Sequence, residues 1–203
     1  MKLVFTGIQG CGKGTQARLL VEKYGYTLLE MGQELRNIAS SGTDIGKKLK
    51  ETLESGALVT PDFVGEVMKE ILAKQTNDNL ILDGFVRNQG NKKTLEEIFP
   101  DYKVVFFELS KEKAIQRLLG RMYDPITGDT FPAGTTINPK TGNTLIKRGD
   151  DNEAGILKRI DEFMNNTLPI AKIQEQEGKV IKVNADQSVE EVGKEMLSKL
   201  GLN

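Results

Sequence analysis

The run Gly7-Ile8-Gln9-Gly10-Cys11-Gly12-Lys13-Gly14-Thr15 constrains this chain more than any other feature. It follows the apolar stretch Leu3-Val4-Phe5-Thr6 and opens an amphipathic segment that reads as a helix from about Lys13 to Tyr24. Glycines at this spacing let several backbone N–H groups converge on one anion at a helix N-terminus, where the dipole favours negative charge. Lys13 adds a point charge for the outer phosphates, so Gly10, Cys11, Gly12, Lys13, Gly14 and Thr15 are candidate ligands of a nucleotide triphosphate. The loop is a variant form. Gly14 rather than Ser or Thr follows Lys13, and the hydroxyl falls one residue later, at Thr15.

Composition narrows the chemistry further. The 203 residues carry 28 Lys+Arg against 29 Asp+Glu, a formal charge of −1, which argues against a nucleic-acid surface. Histidine is absent, which excludes His general bases, His triads and His-ligated zinc. The single cysteine, Cys11, permits no internal disulfide and suits a reducing compartment. The opening Met1–Gly7 is too short an apolar run for a signal peptide, and no stretch approaches the ~20 apolar residues of a membrane span. These features predict a cytoplasmic protein, away from membranes, whose chemistry runs on Lys, Arg, Asp and backbone groups.

Short apolar runs alternate with amphipathic segments along the chain, the pattern of a parallel α/β fold. Leu80-Ile81-Leu82, Val104-Val105-Phe106-Phe107, Val180-Ile181-Lys182-Val183 and the weaker Tyr26–Leu29 join the first run as strands. Helical patterns lie near 61–74, 111–121, 152–177 and 188–200, the first begun by Thr60 as N-cap and Pro61 at the first position. Residues 30–59 read as two short helices separated by Ser40-Ser41-Gly42. Residues 122–147 hold half of the six prolines and repeat a turn: Asp124-Pro125-Ile126-Thr127-Gly128 returns as Asn138-Pro139-Lys140-Thr141-Gly142. That turn chemistry predicts two hairpins in a small β-rich insertion. Asp83, ending the strand Leu80–Leu82, is placed to orient Mg2+, directly or through water.

Jointly, Gly7 to Gln16, Gly32 with Leu35-Arg36, Gly56 to Thr60, Asp83-Gly84-Phe85 with Arg87, Gly120-Arg121, and Arg148 with Asp150-Asp151 resemble the adenylate kinase family of nucleoside monophosphate kinases. The resemblance spans essentially the whole chain. It implies a three-layer α/β/α P-loop core with a central parallel five-stranded sheet, formed by 1–29, 60–120 and 150–203. Residues 30–59 would be a helical monophosphate-binding insertion and 121–149 a β-rich lid over ATP. It further implies reversible transfer of the terminal phosphoryl group of ATP to AMP, with Mg2+, by a monomer. Lys13, Arg87, Arg121, Arg148 and Arg159 would be catalytic. ATP would be held by the phosphate loop, by Arg117 and Arg121, and by the backbone at Gln187. AMP would be held by Met31, Arg36, Ala57, Leu58, Val59, Gly84, Phe85, Val86, Arg87, Asn91, Arg148 and Arg159. Arginine suits these places because its fork binds phosphate oxygens bidentately and stays charged. Asp150 and Asp151 either orient lid arginines or are simple acids at a helix N-terminus.

The chain departs from the family pattern at informative places. Gln9 stands where the loop usually has Pro, Val86 replaces the Pro of the Asp-Gly-Phe-Pro-Arg motif, Met31 replaces a Thr, Gln33 an Asp, and Asn91 a base-reading Gln. Arg87-Asn88-Gln89-Gly90-Asn91 looks like the corresponding stretch of UMP/CMP kinases, so CMP or UMP is the alternative acceptor. The long lid instead resembles that of bacterial adenylate kinases. It lacks the four cysteines of zinc-bearing relatives, so no zinc is expected. A GTPase would need an Asn-Lys-x-Asp signature, and Asn91-Lys92-Lys93-Thr94 lacks the Asp. A catalytically dead nucleotide-binding module is the remaining rival, and the presence of Lys13, Arg87, Arg121 and Arg148 argues against it.

Overall fold

The computed structural model describes residues 1–54, 59–149 and 151–202. Its centre is a sheet of β1 (Lys2–Gly7), β2 (Thr27–Glu30), β3 (Leu80–Asp83), β4 (Lys103–Glu108) and β7 (Val180–Asn184), all parallel, in the order β2-β3-β1-β4-β7. The three central strands, β3, β1 and β4, are apolar on both faces because both faces are covered. Leu3, Phe5, Ile81, Val105, Phe107 and Val183 point to one side. There they meet Leu20 of α1 (Lys13–Tyr24), Leu118 of α6 (Lys111–Gly120) and Met196 of α9 (Val189–Leu200). Val4, Leu82 and Val104 point to the other, against Met68 of α4 (Pro61–Ala73) and Leu95 of α5 (Gln89–Ile98). Alternation along β1 thus builds two cores and three layers.

Two insertions leave this frame. Residues 30–59 contain α2 (Met31–Ala39) and α3 (Asp44–Glu54), as the sequence predicts. Residues 121–149 contain β5 (Met122–Tyr123) antiparallel to β6 (Thr130–Phe131), which is the first expected hairpin. The second is reduced to a single bridge, Ile137 with Thr144, and a further bridge joins Tyr123 to Ile146. Side-chain hydrogen bonds within the turns replace the ladder there.

One other expectation needs correction. The helix predicted over 152–177 is α7 (Glu153–Glu162), a π turn (Phe163–Thr167) and α8 (Leu168–Gln176). Pro169 has no N–H to give residue 165 and its ring crowds that carbonyl; the Leu168 N–H instead bonds back to the Phe163 carbonyl. Helix α5 was not legible, since Lys92, Lys93, Glu96 and Glu97 interrupt its apolar face. Asn88 begins it by accepting from the Asn91 N–H at 2.8 Å. Thr60 occupies the N-cap of α4 ahead of Pro61, but its side chain makes no capping bond.

Candidate active site

The glycine loop forms the turn from β1 to α1 at the C-terminal end of the central strand. Gly7 has φ 146°, and a Cβ there would lie 2.7 Å from the Phe107 carbonyl oxygen on β4. Only glycine allows that approach. Gly12 (φ 93°) precedes α1, and no side chain caps the helix, so its first-turn N–H groups point toward the loop. The Lys13 ammonium donates to the Gly7 carbonyl at 2.8 Å and lies 3.6 Å from Cys11 Sγ, arching back over the loop. Gly10 packs on α6, where a Cβ would meet Ala114 O and Leu118 Cγ at 3.1 Å. Helix α6 carries Arg117 and leads into Arg121, so this contact sets both arginines relative to the phosphate loop. Gln9, where Pro was expected, has a buried side-chain oxygen with no hydrogen-bond partner among the described residues.

Asp83 ends β3 in register with Phe5 of β1 and Glu30 of β2. Burial pushes the Glu30 carboxyl up from its ordinary range, Arg18 opposes that, and the nearby Asp83 charge adds to it. Beyond Asp83, Gly84 turns with φ 75° and its carbonyl accepts from Arg87 Nε at 3.2 Å. Thr167 of the π turn donates to the Arg87 carbonyl at 3.5 Å. Asn91 is buried; its Oδ1 accepts from the Arg87 N–H at 3.4 Å, and its Nδ2 has no partner among the described residues. Met31, Phe85 and Val86 lie in the second apolar core, while Gly84 and Val59 are half-buried. Arg36 donates to Gln33 Oε1 at 2.9 Å on the wall of a cleft of about 390 Å3, opposite Tyr123, Ile126 and Thr127. Ala57, Leu58 and Asp150 lie outside the described residues.

The arginines divide into groups. Arg121 donates to both oxygens of Asp151, at 2.8 and 2.7 Å, and Arg159 Nη2 donates to Asp151 Oδ1 at 2.6 Å. Asp151 is buried, which raises its pKa, but the two guanidinium groups more than offset that and hold it below its ordinary value. Arg148 lies 5.5 Å from the centre of the Tyr123 ring. Arg117 donates to the Ala185 carbonyl at 3.1 Å, at the end of β7. Gln187, just beyond, donates to the Asn184 carbonyl and to Glu195. The structure therefore joins Arg121 to Arg159 and Arg117 to the Ala185–Gln187 turn, and holds Arg36 and Arg87 on separate contacts. The sequence left the role of Asp151 open, and its place directly before the N-cap Asn152 was the available signal.

An anion cradle at a helix N-terminus, with arginines from several elements around it, is suited to moving a phosphoryl group between nucleotides. Fold and site together define a P-loop nucleotide kinase. The comparisons narrow this further. The model of the adenylate kinase family matches residues 5–179. The adenylate kinase of Alkaliphilus oremlandii is 32% identical, over 99% of both chains. That of Thermosipho africanus is 34% identical, over 98% of both, and that of Bacillus subtilis 32%, over 99% of this chain and 98% of its own. The chain belongs to the adenylate kinase family, and is a phosphotransferase acting on nucleoside monophosphates. Among the described residues, no helix is long and apolar enough to cross a membrane.

Proposed function

We propose that the chain performs its reaction, ATP + AMP giving two ADP, by charge neutralisation at a fixed geometry, with the following division of labour. The observation that carries it is the attachment of both Arg121 and Arg159 to the same buried carboxylate, that of Asp151. Two guanidinium groups held together without substrate need little reorganisation when anionic charge arrives, and preorganised donors of this kind act most strongly on a transition state. Residues 30–59 form the acceptor arm, 121–149 the lid, and 1–29, 60–120 and 150–203 the core. Lys13 and the backbone of Gly10 to Thr15 hold the ATP phosphates. Arg117 packs on the ATP adenine, which the backbone at Gln187 borders. Arg36 and Arg87 hold the acceptor phosphate. Met31, Ala57, Leu58, Val59, Gly84, Phe85, Val86 and Asn91 surround the acceptor nucleoside.

An oxygen of the acceptor phosphate attacks the terminal phosphorus of ATP while the bridging P–O bond to the β-phosphate breaks. Lys13, Arg121, Arg148 and Arg159 cancel the charge spread over the transferred oxygens. The donor set fits Mg2+: Asp83 and the Thr15 hydroxyl offer hard oxygens beside the loop, and this cation binds through one or two carboxylates with waters and phosphates. Among the described residues, no group of three or more His, Cys, Asp or Glu forms a cage of its own. When bound with ATP, Mg2+ supplies neutralisation of the phosphate oxygens. The enzyme works as a cytoplasmic monomer. Initial rates with ATP-Mg2+ and AMP, CMP, UMP, GMP or dTMP test this reading: AMP is the best acceptor, and transfer to none of the five would overturn it.

A further inference from the structure

Two ion pairs outside the proposed transfer machinery fasten the segment 121–149 to α1. The Arg18 guanidinium pairs through Nε with Asp129, and the Lys140 ammonium pairs with Glu22 at 2.5 Å. Arg18 and Glu22 lie one helical turn apart on the same face of α1 and carry opposite charges. Asp129 and Lys140 carry the reverse. A slip by one turn would set Asp129 against Glu22, or Lys140 against Arg18, so the pairs fix the register as well as the contact.

The two pairs are unequal. Glu22 and Lys140 are 58% and 64% exposed, so water and salt screen them strongly. Arg18 and Asp129 are only 25% and 18% exposed. Arg18 is also held at its other nitrogens. Nη1 donates to the Gly14 carbonyl at 3.3 Å, at the exit of the phosphate loop. Nη2 lies 3.9 Å from Glu30, the residue before α2. At Gly128 a Cβ would sit 3.5 Å from the same Nη2, so the turn brings its own backbone against the guanidinium. One side chain therefore touches the phosphate-loop helix, the segment 121–149 and the start of 30–59.

We infer that Arg18 is a positioning residue, the centre of an electrostatic latch that holds the lid against α1 and ties lid closure to the acceptor arm. This rests on the reading of 121–149 as a lid. A ligand that needs the closed state binds in proportion to the closed fraction. The latch thus tightens nucleotide binding and slows lid opening, while the transfer step keeps its own machinery. Loss of the latch raises KM and leaves kcat unchanged or higher, the opposite of losing a phosphate-binding charge.

The test is a double-mutant cycle on Arg18→Gln and Asp129→Asn, with melting temperatures confirming that each variant folds. Three readouts are the Kd of a bisubstrate inhibitor joining two nucleosides through phosphates, the ATP KM against kcat, and hydrogen exchange over 122–147. Each single variant should raise Kd and KM by about threefold to fivefold, keep kcat, and speed ligand-free exchange in the lid. The double variant should be no worse than the worse single one, because both remove one interaction. Additive effects, or unchanged Kd and exchange, would reject the latch while leaving the lid reading intact. If the inhibitor fails to slow exchange over 122–147 in the wild-type protein, the lid reading falls, and the latch with it.

Discussion

Asn138 donates its side-chain amide to Asp124 Oδ2 at 2.7 Å, and the two residues hold the same place in the two copies of one repeated turn. In each copy the first carbonyl accepts from the glycine N–H, Gly128 to Asp124 at 2.9 Å and Gly142 to Asn138 at 2.8 Å. The side-chain oxygens likewise accept from Ile126 and Lys140. Asn143 adds a donor to Asp124 at 3.1 Å. Both first residues are fully buried while Ile126 and Ile137 are exposed, so this segment is organised by a carboxylate rather than by an apolar core. Burial raises the Asp124 pKa, and its donors bring it far below the usual carboxylate range.

Replacing Asp124 with Ala should therefore loosen the segment 121–149 without unfolding the five-stranded sheet. Asn138, Asn143 and the Ile126 N–H would lose a buried acceptor together. Hydrogen exchange over 122–147 should accelerate by roughly an order of magnitude or more, with little change over β1 and β4. Unchanged exchange would show that the turns hold by backbone geometry alone.

Acid should weaken the protein through Asp151. Its folded pKa lies below the ordinary 3.8, so its contribution is complete above that value and disappears as pH falls through the folded one. Unfolding free energy from urea titrations should thus decline below about pH 4. Asp151→Asn should flatten part of that decline and cost about 2–3 kcal/mol at pH 7, where two guanidinium groups keep one neutral amide oxygen in place of a charged carboxylate. Asp124 titrates in the same direction, so some decline should persist in the variant. An identical pH profile in wild type and variant would contradict the assignment.

Much of this was legible in the sequence because the signals are local. The phosphate loop, the five strands and the helix pair of 30–59 follow from glycine spacing, apolar runs and the break at Ser40-Ser41-Gly42. What escaped depends on residues distant in sequence. Lys92 reads as a surface charge on a polar segment, yet it is buried between Glu96 and Glu177, and α5 packs through it. Arg18 reads as a solvated position on α1 until Asp129 is folded onto it. Arg121 and Arg159 could be guessed individually; that one carboxylate holds both could not. The π turn needed Pro169 to be placed inside a continuous helix.

The acceptor base should be read less strictly here than where Thr and Gln stand at positions 31 and 91. Asn91 already spends its oxygen on the Arg87 N–H, leaving its amide NH2 as a donor alone, and Met31 offers apolar contact alone. Hydrogen-bonded pockets reject wrong partners by large factors and apolar ones by small factors. AMP should remain the best acceptor, and Met31→Thr with Asn91→Gln should raise the AMP-to-CMP ratio of kcat/KM by about tenfold or more. Met31 is a core residue, so melting temperature must be followed alongside. An unchanged ratio in a folded variant would mean these positions do not read the base.

The Lys13 ammonium lies over the phosphate loop, 2.8 Å from the Gly7 carbonyl oxygen. The decisive measurement is the initial rate of ADP formation from ATP-Mg2+ and AMP by wild type and Lys13→Met, with circular dichroism confirming the fold of the variant. Loss of one preorganised charge should lower kcat by roughly 10²–10³, about 3–4 kcal/mol of transition-state stabilisation, with the spectrum unchanged. A folded Lys13→Met enzyme turning over at near the wild-type rate would contradict the phosphate-site assignment.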